Sequence, residues 1–217
     1  MKQCNIFPFW EKLTDEEKQQ ISNECYTEVY EKGTIMHKAD DTCVGLMAVV
    51  SGQLRVYILS DEGREVTLFR VNTGEVCVLS ASCLMDTIDF DVLIEANEKT
   101  EVIVLPSICL NKIIKNNVYA ELYLHKAATE KFSDVMWTMQ QILFKKIDKR
   151  IAGLILDEAN RNNTAELKIT HDEIAKYIGS AREVVTKALK YLAEYDVIEL
   201  QRGKIIVTDK EKLRKFI

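Results

Sequence analysis

What the 217-residue chain has little of limits it first. It holds only 2 Pro and 8 Gly, too few for long flexible linkers. No apolar run approaches the ~18–20 residues of a membrane-spanning helix. The start, Met1-Lys-Gln-Cys-Asn-Ile-Phe7, lacks the hydrophobic core of a secretory signal, so a cytoplasmic protein with no membrane partner is expected. The 6 cysteines are Cys4, Cys25, Cys43, Cys77, Cys83 and Cys109, and no two form a Cys-x-x-Cys pair. A disulfide framework is not expected, and most thiols read as small buried hydrophobes. Histidine is scarce, with 3 residues. A cupin-like metalloenzyme needs about three His and a carboxylate on one metal. The strand-rich region carries His37 alone, which leaves that class a weak rival, and no catalytic constellation or metal site is visible.

What is present reads as globular, with 47% hydrophobic and 29% charged residues. The charge is unevenly spread. Residues 1–143 hold 13 Lys/Arg against 22 Asp/Glu, whereas residues 144–217 hold 16 against 12. An acidic body with a basic C-terminal third predicts that only the last part meets a polyanion.

Local texture divides the chain. Residues 6–30 read as short helices, opened by a capping box at Thr14-Asp-Glu-Glu17. Between 31 and 106, short β-branched runs alternate with Gly and acidic turns: Val44–Val50, Gln53–Leu59, Glu65–Val71, Val76–Leu79, Phe90–Ala96 and Glu101–Leu105. Ser60–Arg64 reads as a hairpin turn, and the spacing predicts a jelly roll or small barrel. No Gly or Pro interrupts Ser107–Lys146, and Asn116-Asn117 splits it. On the second piece Ala128, Phe132, Val135, Met139 and Ile142 follow a 4-3-4-3 spacing, the seam of a dimerising coiled coil; His125 is expected on the same helix. A further helix over Lys149–Asn160 follows a hinge at Phe144–Asp148.

The informative stretch is Ile169 to Leu192. Thr170-x-x-Glu173 is a capping box that starts a helix, Ile174, Ala175 and Ile178 give it an apolar face, and Gly179 ends it. Ser180-x-x-Glu183 reads as a second capping box. Val184, Val185, Ala188, Leu189 and Leu192 give the next helix its buried face, and His171 is expected to be exposed beside the first cap. Two short helices joined through a Gly turn make a helix-turn-helix. Its second helix would expose Arg182, Glu183, Thr186, Lys187 and Lys190. Arg182 suits guanine O6 and N7 and Glu183 suits cytosine N4. Thr170 and Ser180, as N-caps, would offer N–H groups to phosphates. Val197–Val207 reads as two strands around Arg202-Gly203, a wing offering Arg202 and Lys204 to the backbone.

This order of β-roll, long helix, hinge and winged helix-turn-helix resembles the Crp/Fnr family of bacterial transcription regulators. Ile169-Thr170…Gly179-x-x-Arg182-Glu183 is similar to the family's DNA-binding signature. The resemblance implies an α+β chain: a cyclic-nucleotide-binding-like β domain over 1–117, a dimerisation helix and hinge over 118–146, and a DNA-binding domain over 147–217. It implies a homodimer on a palindromic operator in double-stranded DNA, with RNA polymerase as a further partner. Arg182, Glu183 and Lys187 would read bases, Lys187 standing where the family has an Arg and lacking its bidentate fork. Thr170, Ser180, Thr186, Lys190, Arg202 and Lys204 would meet phosphates.

The resemblance also places an effector pocket around Cys77, Leu79, Ser80, Ser82, Cys83, Phe90 and Met136. At the family's ribose-binding Gly-Glu position stand Val78-Leu79, and at its phosphate-binding Arg-Ser position stand Phe90-Asp91. Phe90 and Asp91 give a phosphate no cation, so cyclic AMP is disfavoured as the cofactor. An iron–sulfur cluster is disfavoured too, since only Cys4 and Cys25 lie near the start. A thiol-redox, haem or metal response through His37, Cys43, Cys77 or Cys83 stays open, and so does a small organic ligand.

Overall fold

In the computed structural model, residues 4–37, 44–84 and 92–217 are described. Cys43, Phe90 and Asp91, and the side chains of His37, Ser82 and Cys83, lie outside the described set. The chain divides into two compact units: Met1–Ile58 with Leu68–Val135, and Leu59–Thr67 with Met136–Ile217.

The first unit opens with two 3-10 turns and helix α1 (Asp15–Glu24). The Thr14 capping box forms as expected, Thr14 accepting from Glu17 N and Glu17 accepting from Thr14 N. Residues 26–30, read as helical from the sequence, are instead strand β1 (Tyr26–Tyr30). Its Thr27 and Val29 leave little rotamer freedom in a helix, and the ladder to β8 decides the matter. The other strands are β2 (Ile35–His37), β3 (Gly45–Ser51), β4 (Gln53–Leu59), β5 (Glu65–Asn72), β6 (Val76–Cys77), β7 (Leu93–Ala96) and β8 (Thr100–Pro106). They form two antiparallel four-stranded sheets, β1-β8-β3-β6 and β2-β7-β4-β5. Ser60–Arg64 makes the expected hairpin turn, with Gly63 N donating to Ser60 O and Ser60 N to Arg64 O. The run Val76–Leu79 is a strand for two residues only, since 3-10 turns take over from Val78 to Leu84.

The continuous apolar run of β3 has a physical reason: its sheet is covered on both faces. Met47, Val49, Val102 and Val104 face the other sheet and join Leu54, Val56, Ile94 and Ala96. Leu46, Ala48, Ile103 and Leu105 face helices and join Ile21 of α1, Leu110 of α2 (Ser107–Asn116) and Leu124 of α3 (Val118–Phe144). Asn117 separates those two helices, its Oδ1 accepting from Tyr119 N and Ala120 N.

The second unit contains α4 (Ile147–Arg161), β9 (Glu166–Leu167), α5 (His171–Ile178), α6 (Arg182–Glu194), β10 (Ile198–Gln201), β11 (Lys204–Val207) and α7 (Lys210–Arg214). β10, β11 and β9 form one small antiparallel sheet. Its core gathers Ile151 and Ile155 of α4, Ile174 of α5, Val185 and Leu189 of α6, and Leu213 of α7. Each helix contributes at helical spacing one stripe to one core. Among the described residues, no helix is long and apolar enough to cross a membrane.

Candidate nucleic-acid interface

Local chemistry builds the α5–α6 pair. The Thr170 capping box forms in full. Gly179 closes α5 at φ +63°, and Ser180 N turns back to Ala175 O at 3.0 Å. That bond is why the second capping box does not form. Ser180 is still inside the turn, Ala181 is the N-cap with no side-chain bond, and α6 starts at Arg182. Val184 also departs from expectation: it is 42% exposed, while Val185, Ala188, Leu189 and Leu192 are buried.

The outward face of α6 carries Arg182, Glu183, Lys187 and Lys190, all exposed. Arg182 Nη1 lies 3.2 Å from Asp172 Oδ2 of α5, with both side chains more than half exposed. Such a pair contributes ~0–1 kcal/mol, so the guanidinium is readily exchanged for a stronger acceptor. Thr186 is half-buried, and its hydroxyl donates to Arg182 O at 2.9 Å. His171 is half-buried rather than exposed, with Nδ1 2.9 Å from the same hydroxyl oxygen. Burial first, and then the Arg182 guanidinium, push its pKa below the ordinary histidine value, with Asp172 acting the other way. From α4, Arg150 Nη2 donates to Ile178 O and so ties off the end of α5.

Other expected phosphate contacts are already engaged. The Thr170 N–H and hydroxyl both donate to Glu173 Oε2, at 2.9 and 3.0 Å. Lys204 Nζ lies 3.0 Å from Glu166 Oε2. Arg202 is exposed at the wing tip, beside Gly203 at φ +76° in the tight turn. The contacts of His171, Asp172 and Arg150 escaped the sequence reading because their partners lie on another helix, and residue spacing within one helix does not report that.

Of the expected effector residues, the side chains of Cys77, Leu79, Ser80 and Met136 are described. Cys77 and Leu79 are buried in the inter-sheet core, and Val78 in the helix-facing core. Ser80 is fully buried, donating to Cys77 O at 2.6 Å and accepting from Met47 N at 3.1 Å. Burial pushes the Cys77 thiol up to about 11, which keeps it protonated and inert. Met136 is 41% exposed. The side chains of Val78 and Leu79 are aliphatic and offer a ribose no hydrogen-bond acceptor. Arg55, a buried cation on β4, is held by Glu95 Oε2 at 2.7 Å and lies over the Tyr57 ring.

On α3, Val135 is half-buried against the inter-sheet core of the roll. Ala128 is half-buried, while Phe132, Met139 and Ile142 are exposed.

Comparison with known proteins bears on the whole chain. Residues 149–216 match the Crp-like helix-turn-helix domain, and residues 27–117 match the cyclic nucleotide-binding domain. A solved Crp/Fnr-family regulator from Eubacterium rectale is 43% identical, with a TM-score of 0.94 and 98% of each chain covered. The transcriptional regulator flp of Lacticaseibacillus casei is 22% identical over 213 residues, covering 97% of this chain and 96% of the relative. The transcriptional activator FnrA of Stutzerimonas stutzeri is 26% identical over 186 residues, covering 82% and 75%. The chain therefore belongs to the Crp/Fnr family of transcriptional regulators, and its helix-turn-helix is a DNA-binding domain of that family.

Proposed function

We propose that the chain is a homodimer that reads a near-palindromic site in double-stranded DNA, controlled by an effector of the N-terminal unit other than cyclic AMP. One observation carries the reading of DNA: the first turn of α6 presents Arg182 and Glu183 outward from a helix pair fixed by its caps and core. In the major groove Arg182 takes guanine O6 and N7, Glu183 accepts from cytosine N4, and Lys187 adds a single-point contact. Lys190 and Arg202, with the Ser180 turn, face phosphates, while the Thr186 hydroxyl stays with Arg182 O and His171. Thr170 and Lys204 join them on giving up Glu173 and Glu166.

The dimer rests on α3. Phe132, Met136, Trp137, Met139, Ile142, Leu143 and Phe144 are between 39% and 82% exposed, more apolar surface than single scattered side chains leave to water. A second copy of α3 covers it and sets two reading heads about one DNA turn apart, ~34–36 Å. The effector biases the spacing of the heads as a two-state coupling. Contact with RNA polymerase completes the regulator's action in the cytoplasm.

Selection of duplexes from a random library by the purified chain, with and without a thiol oxidant, tests this. An inverted repeat recovered under both conditions is the expected outcome. Recovery of one unpaired half-site contradicts the dimer, and oxidant-dependent recovery that Cys77→Ser abolishes contradicts the inert reading of Cys77.

A further inference from the structure

Resting on the DNA-binding reading above, we propose that His171 is a proton-gated contact to the DNA backbone. Its Nδ1–H stays docked on Thr186, and its Nε2 donates to a phosphate only as the imidazolium. The argument begins with proton bookkeeping. A threonine hydroxyl has one hydrogen. At Thr186 that hydrogen is committed to Arg182 O, because two oxygens 2.9 Å apart without a proton between them repel. The same oxygen therefore accepts from His171, and the 2.9 Å contact fixes the ring as Nδ1–H donor. In the neutral ring Nε2 then carries a bare lone pair.

Nε2 lies across the ring from Thr186 and makes no hydrogen bond to any described residue. His171 is the first residue of α5, and the first helix of such a motif crosses the phosphate backbone while the second enters the groove. A bare lone pair facing a phosphate is one acceptor against another. A protonated Nε2 makes a charge-assisted hydrogen bond there.

The charged groups facing the ring are Arg182 of α6 and Asp172 of its own helix. Burial and Arg182 hold the ring neutral in the free protein, and Asp172 opposes them in part. Binding reverses that balance. Arg182 turns from Asp172 to a guanine, and a phosphate arrives at Nε2. Both changes favour the imidazolium, so binding takes up one proton and affinity rises as pH falls. Linkage bounds the effect at about tenfold per pH unit. Replacing the ring by a permanent cation removes the gate, and replacing it by an amide removes the charge.

The test measures Kd of the full chain for its selected operator between pH 6 and 8, for wild type, His171→Gln and His171→Arg. Wild type is expected to tighten by about three- to tenfold toward pH 6. H171Q stays weak and loses that slope, and H171R stays tight and also loses it. Because a phosphate contact acts on every sequence, the ratio of operator to one-base-changed operator stays constant in all three. Imidazole 15N shifts provide a second readout. The free protein at pH 7.5 should show His171 neutral with Nε2 unprotonated, and the operator complex should show the imidazolium. Equal pH slopes in wild type and H171Q overturn the proposal, as does an Nε2–H tautomer in the free protein. Absence of any sequence-preferring binding by wild type at every pH overturns instead the reading on which it rests.

Discussion

Single side chains here gain or lose a role through the partner they already have. Cys77 shows it in the roll. A thiol near the expected effector position invites a redox reading, yet burial pushes it up to about 11, and the attacking species is the thiolate. We predict that Cys77 in the native chain resists iodoacetamide at pH 7.5 and reacts on unfolding, as followed by mass spectrometry. Rapid native labelling would contradict its placement in the core. In the DNA-binding unit, Lys204 and Thr170 are engaged with carboxylates, whereas Lys187 and Lys190 are exposed on α6. Arg182 sits between these cases, paired with Asp172 but over half exposed, so its pairing positions it without consuming it.

Elements were legible in the sequence where their signals are local. The Thr170 and Glu173 pair and Gly179 define α5 from its own residues, and the structure bears out both ends. Gly179→Ala places a side chain at φ +63°, a left-handed position costing ~1–2 kcal/mol for an L-residue. Chemical denaturation should show that loss, and unchanged stability would mean that the turn relaxes freely. The same local signal misled at Ser180. Its spacing to Glu183 matches a capping box, but the turn spends the Ser180 N–H on Ala175 O and starts α6 later. β1 escaped notice because Tyr26, Thr27, Glu28 and Val29 are all exposed, so its two faces show no alternation; only the ladder to β8 defines it. β9 is two residues long, below what periodicity detects. The long helix was readable from its uninterrupted pattern, but not which of its faces packs at home. Ala120, Leu124, Ala127 and Val135 take that role, a fact set by the roll's surface rather than by the helix.

At the scale of the whole molecule, the exposed residues of α3 are the feature a single chain leaves unsatisfied. Phe132 is 64% exposed and Trp137 59%. Phe132→Glu sets a charge into the proposed pairing seam, and two such charges repel across a two-fold interface. Sedimentation equilibrium should show wild type as a dimer and Phe132→Glu shifted toward monomer, with the circular dichroism spectrum retained. A wild-type monomer at micromolar concentration would contradict the proposed assembly.

The central claim is that α6 reads sequence through its first turn. The most direct test compares base preference at every position of the selected operator for wild type and Arg182→Ala. The account predicts that Arg182→Ala loses ~1–3 kcal/mol of discrimination at one guanine in each half-site and keeps its preferences elsewhere. Unchanged discrimination at every base pair would contradict it.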